Sequence, residues 1–140
     1  MASHAALLLL ILGASIFGVL GTVHLAYTFF TDKLLPRDRA VIDAMKGTSL
    51  VLTRQTTLWE AWIGFNASHS LGAMLLAAFY ILLASRHPEV LVGSTSFALL
   101  GLATGAIYLW LAHAYWFKIP FTGIAIATAC FAAASVLLAI

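Results

Sequence analysis

Residues 5–30 read AALLLLILGASIFGVLGTVHLAYTFF, a run without a single Lys, Arg, Asp or Glu. As a helix rising about 1.5 Å per residue it measures roughly 39 Å, enough to cross about 30 Å of bilayer hydrocarbon. Its opening resembles a secretory leader, with LLLLIL followed by Gly13, Ala14 and Ser15. No Lys or Arg precedes that run, however, and it continues through His24 to Phe30, well past any cleavage point. A retained membrane span is the expectation.

Working outward, three more apolar runs cover residues 58–85, 94–117 and 121–140. The chain is 63% hydrophobic and 9% charged, with a mean hydropathy of +1.04, whereas a soluble domain carries about 25% charged residues. These values predict an all-α, integral membrane four-helix bundle, with residues 1–140 as one transmembrane domain. Thr57 and Glu60 are spaced as a capping box at the start of the second span. Arg86-His87-Pro88 stops that span. The third ends in Trp110, Tyr115 and Trp116 beside Lys118, as expected where a helix leaves hydrocarbon for headgroups. Pro120 is expected to break the chain before an Ala-rich, uncharged fourth span.

The polar connection 31–57 predicts one short amphipathic helix over 37–46. Pro36 suits its start and Gly47 its end, and Val41, Ile42 and Met45 form an apolar stripe. Such a helix would lie along the membrane surface or under the bundle. Five of the Lys and Arg residues fall in this connection (Lys33, Arg37, Arg39, Lys46, Arg54), against Arg86 in the second and Lys118 in the third. The positive-inside rule then places loops one and three in the cytoplasm and both termini outside. A formal net charge of +2 is too small to propose nucleic acid as a partner. The single cysteine, Cys130, leaves no intramolecular disulfide to form.

Ionisable and amide side chains inside spans are costly in hydrocarbon, so each is a functional candidate. Here they are His24, Glu60, Asn66, His69 and His113. With the assigned topology all of them fall in the cytoplasmic half: His24 about 9 Å from its span end, Asn66 and His69 roughly 12 and 16 Å in, and His113 about 6 Å in. At 100° per residue Asn66 and His69 share one stripe with Trp62 and Ala73, and Glu60 points nearly opposite. His24 shares its side with Gly21, Tyr27 and Thr28. His113 lies with Ala106, Trp110 and Phe117, away from the Gly101/Gly105 pair. For Glu60 the cap is a sufficient explanation, and for His113 an interfacial aromatic belt. His24, Asn66 and His69 remain as the core of the candidate site, with Trp62, Glu60 and His113 as outer members.

Three kinds of function can use such residues. One is an accessory or scaffold subunit of a membrane complex, with no catalysis, packing on other membrane subunits or on a second copy through the GxxxG of Gly101 and Gly105. A second is a binding or modifying site for a lipid or other apolar molecule, in which His69 and His24 serve as acid/base or hydrogen-bonding groups amid aromatics. Isomerases of sterol or prenyl-like substrates belong to this class. The third is haem b, or a metal, held between His24 and His69. Transport fits poorly, because no inverted repeat or broken span is visible.

The segments GTVHLAYTFF, LPRDRAVIDAM and TTLWEAWIGFNASHSLG resemble a group of small bacterial four-span membrane proteins that carry a His in span one and GFNxSH in span two. The resemblance covers mainly residues 18–75 and marks His24, Gly64, Asn66, Ser68 and His69. It implies a bacterial inner-membrane location and no particular activity. More distantly the design is similar to DoxX-type four-span proteins and to emopamil-binding-type bundles, which place His, Glu and Asn in a membrane pocket.

Overall fold

The computed structural model describes residues 2–139. In chain order the elements are α1 (Ala2–Phe30), α2 (Arg39–Gly47), β1 (Ser49–Leu50), β2 (Thr53–Thr57), α3 (Leu58–Arg86), α4 (Pro88–Val92), α5 (Thr95–Tyr115) and α6 (Lys118–Ala139). Helices α1, α3, α5 and α6 are long and apolar enough to cross a membrane. A continuous helix satisfies every interior backbone N–H and C=O within itself, which lipid demands. The chain is thus a helical bundle of the integral membrane kind.

The packing divides into two units, one of residues 1–20 and 73–140, the other of residues 21–72. In the first, Leu10 and Phe17 of α1, Tyr80 of α3 and Phe131 of α6 form a fully buried centre. The Phe131 ring lies 5.5 Å from Tyr80 and 6.1 Å from Phe17, and Phe17 meets Tyr108 edge-on at 5.2 Å. The Tyr80 hydroxyl donates to the carbonyl of Phe97 at 2.6 Å. Small residues let the helices approach, as van der Waals packing requires where lipid offers no hydrophobic drive. A Cβ on Gly18 would stand 2.9 Å from the Ala77 Cβ, and one on Gly105 2.8 Å from the Thr128 Oγ1.

The same contacts correct one expectation. Gly101 faces Tyr80 and Phe131, Gly105 faces Thr128, and both glycines are buried. The GxxxG face reserved for a second subunit is therefore filled by this chain's own side chains. Pro120 also departs from expectation. It is the third residue of α6, and a proline in the first turn removes no helical hydrogen bond. The fourth span accordingly starts at Lys118 rather than at residue 121. Helix α5 ends at Tyr115, where the Trp116 N–H closes on the Ala112 carbonyl.

In the second unit, α2 starts two residues later than Pro36 implies, because the Asp38 side chain accepts from the Ala40 N–H and caps it. Its C-terminal end meets the sequence reading at Gly47. Strands β1 and β2, which the sequence reading omitted, pair antiparallel with Leu50 opposite Thr53. The hairpin is closed at its base by the Leu58 N–H donating to the Thr48 carbonyl at 2.9 Å. Lys46 places its ammonium over the Trp59 ring, 5.3 Å from the centroid. The capping box forms as expected: the Thr57 N–H donates to Glu60 Oε2 at 2.9 Å, and the Glu60 N–H to Thr57 Oγ1 at 3.2 Å.

Candidate functional site

Three of the sequence-derived candidates converge within residues 21–72. His24 projects from α1, with Asn66 and His69 from α3. His24 Nε2 lies 2.8 Å from Asn66 Oδ1. The His69 ring stands edge-on to His24, with centroids 5.4 Å apart and planes at 73°. All three side chains are half-buried, while Gly21 and Thr28 on the His24 side are buried. That side of α1 faces protein, as its mixed composition predicted.

Local helix chemistry holds each member in place. Asn66 Nδ2 donates to the Trp62 carbonyl one turn earlier, at 2.8 Å. With its amide nitrogen so committed, Asn66 turns its oxygen toward His24, and the shared hydrogen therefore sits on His24 Nε2. A neutral His24 then carries its lone pair on Nδ1. The Thr28 hydroxyl donates to the His24 carbonyl at 2.9 Å, and the Ser70 hydroxyl to the Asn66 carbonyl at 2.8 Å. Each of these two site residues thus has a hydroxyl at i+4 bonded back to its own carbonyl, which fixes the turn that carries it. The sequence reading placed Thr28 beside His24 without giving it this role, and it passed over Ser70. The i, i+4 spacing of a hydroxyl after a polar residue was the available signal.

The outer candidates separate from this cluster. The Trp62 ring stacks on Trp59 at 5.5 Å and 21°, so its link to the trio is its backbone carbonyl. Glu60 is exposed, and its carboxylate accepts from Thr56 and Thr57. His113 belongs to the other unit, exposed, with its ring 6.1 Å from Phe121. Ala106, Trp110 and Phe117 on its side are exposed as well, the pattern of an outward aromatic face.

What the trio can hold follows from its donors. A haem bound by both imidazoles needs the two rings on opposite faces of the macrocycle, each aiming a nitrogen at iron. Here the rings are in direct edge-to-face contact, and His24 Nε2–H is spent on Asn66. The residues therefore do not fit a haem between them. Among the described residues, no group of three or more His, Cys, Asp or Glu side chains could hold a metal ion. The interaction the trio itself displays is hydrogen bonding between imidazole and amide. Every buried side-chain nitrogen and oxygen among the described residues has a hydrogen-bond partner, as a stable interior requires.

No family model, curated protein or solved structure matches this chain.

Proposed function

We propose that this chain is a non-enzymatic membrane protein that binds an apolar molecule with a hydrogen-bonding head, the head resting against His24, Asn66 and His69. The observation that carries the reading is the convergence of two imidazoles and one amide from two spanning helices, with His24 at 2.8 Å from Asn66 and in ring contact with His69. Holding three polar groups among apolar helices is costly unless they are used, and half-buried side chains can still exchange partners with an incoming head. We place the protein in a bacterial inner membrane with loops one and three cytoplasmic, a reading supported by the five Lys and Arg residues of the first connection.

The test is extraction of bound lipid from protein purified in native nanodiscs, followed by mass spectrometry. One apolar species enriched over bulk lipid in the parent chain and lost in His69→Ala is the expected result. Equal lipid profiles for parent and bulk would rule the binding role out.

A second reading, the accessory subunit, is favoured by one observation. Gly64, Ser68 and Gly72 follow one another at i, i+4 and i+8 along α3, all three are exposed, and a Cβ on either glycine would meet nothing within 4 Å. That row offers the close approach that a neighbouring membrane helix uses. Purification in mild detergent that repeatedly retains the same membrane protein, and loses it in Gly64→Leu, would support this reading over the first.

A further inference from the structure

We propose that the β1–β2 hairpin is a lipid-anchoring device, inserting Val51 and Leu52 at its tip among the headgroups of an anionic membrane surface. Leu50 pairs with Thr53, so Val51 and Leu52 are the two central residues of the turn. Their relative exposures are 109% and 91%, higher than for any other large apolar side chain among the described residues. Turn chemistry supplies no reason for them. The turn holds no residue in the left-handed region, so Val and Leu are accommodated without strain, but nothing in the turn calls for apolar side chains where Gly, Asn and Asp are usual. Two large apolar side chains left this exposed side by side gain nothing from packing within the chain and suit a contact outside it. The exposed apolar residues of the four spans face lipid by construction, whereas this pair lies outside every span and has no apolar phase of its own.

The surroundings identify the phase that covers it. Strand β2 ends at Thr57 and α3 begins at Leu58, so the hairpin continues into a spanning helix with no linker. Its base is tied by the Leu58–Thr48 hydrogen bond. Lys33 and Lys46 lie over the rings of Tyr27 and Trp59, close to the ends of α1 and α3, as residues at the headgroup level do. The charge is also suited to such a surface. Lys33, Arg37, Arg39, Lys46 and Arg54 are all exposed, and among the described residues the one ion pair is that of His87 with Glu89. None of the five cations is neutralised by a carboxylate, and Asp38 is occupied as a helix cap. An apolar tip with Arg54 two residues beyond it, in a connection whose five cations have no carboxylate partner, fits anionic headgroups above acyl chains. Insertion here does not depend on the ligand proposed for the His24 cluster.

The full chain with Leu52→Cys, labelled with an environment-sensitive fluorophore and reconstituted in vesicles, tests this directly. Cys130 is buried, so the parent chain serves as the labelling blank. Gln55→Cys, at an exposed polar position of β2, is the water-facing control. In vesicles containing phosphatidylglycerol, the label at 52 is expected to be quenched by shallow doxyl lipids and shielded from aqueous iodide, with the reverse at 55. Doxyl quenching should fall at least twofold on replacing phosphatidylglycerol with phosphatidylcholine, and again with Arg54→Glu. A label at 52 as open to iodide as the one at 55 in every lipid overturns the proposal and leaves a protein as the occupant of the tip. Equal doxyl quenching in anionic and neutral vesicles overturns the assignment of anionic lipid.

Discussion

The bond between His24 and Asn66 is the part of the site that lends itself to measurement. Alanine at position 66 removes the acceptor for His24 Nε2–H at 2.8 Å and the amide that donates to the Trp62 carbonyl. That carbonyl lies inside α3, where it also serves the helix, so its loss counts little. The imidazole donor is left half-buried without its acceptor, which costs about 1–1.5 kcal/mol, toward the lower end for a site that is not fully dry. His24→Ala loses the same bond and also the ring contact with His69. In a double-mutant cycle the shared bond appears as a coupling of about 1 kcal/mol, between the average of about 0.6 and the maximum of about 1.7 found for polar contacts between membrane helices. That is about a fivefold change in the unfolding equilibrium constant. Unfolding in mixed micelles, followed through the four tryptophans, gives the four equilibria needed. The cycle of His24→Ala with Glu60→Ala is the control and should be additive, because the Glu60 carboxylate bonds Thr56 and Thr57 instead. A His24/Asn66 coupling below about 0.3 kcal/mol, the ordinary scatter of independent sites, would refute the claim that this bond joins α1 to α3.

The glycines give an ordered set of outcomes in the same assay. Gly105→Ala would set its Cβ 2.8 Å from Thr128 Oγ1 and 3.3 Å from the Thr128 Cα, and that hydroxyl is held by the Ile124 carbonyl at 2.8 Å. A β-branched side chain cannot swing clear, so α5 and α6 must separate, at about 1–3 kcal/mol. Gly64→Ala and Gly72→Ala meet nothing within 4 Å and should be neutral or stabilising by up to about 1 kcal/mol through helix propensity. The reverse ranking would mean that the helices do not pack as described. Tyr80→Phe should cost about 1 kcal/mol by removing the hydrogen bond to the Phe97 carbonyl while leaving the ring in place.

The four spans were legible because hydropathy over about twenty residues is a sum, insensitive to any one position. The trio was legible for a related reason: 100° per residue puts Asn66 and His69 on one stripe, and a polar group in a span is rare enough to stand out. The hairpin was hidden because Val51 and Leu52 occupy the turn where Gly or Asn announces one, so residues 49–57 carry no turn signal. Pro120 misled in the opposite direction. Proline stops a helix from within but is welcome in its first turn, and only the position of the helix start distinguishes the two. Trp62 was assigned by its side of the helix, yet its ring turns to Trp59 and its backbone oxygen serves Asn66. Helical angle gives the direction of Cβ and leaves the rotamer open.

Glycine spacing shows most clearly what a one-dimensional reading lacks. Gly101 and Gly105 form a GxxxG, whereas Gly64, Ser68 and Gly72 place one small residue at every fourth position. By sequence alone the first pair is the stronger packing motif. In the fold it is exhausted inside the chain against Tyr80, Phe131 and Thr128, and the second row stands open. The segment GFNASH therefore works on two sides at once: Asn66 and His69 turn to His24, while Gly64 and Ser68 present a bare ridge, with the Ser68 hydroxyl folded back onto the Phe65 carbonyl. The ridge itself has no need of that hydroxyl, since alanine packs as closely and has the higher helix propensity. If the ridge faces only lipid, Ser68→Ala should be silent in both the lipid profile and any retained partner. If it seats a second helix, Ser68→Ala should leave contact intact and Ser68→Leu should abolish it, because steric approach rather than hydrogen bonding is what a row of small residues provides.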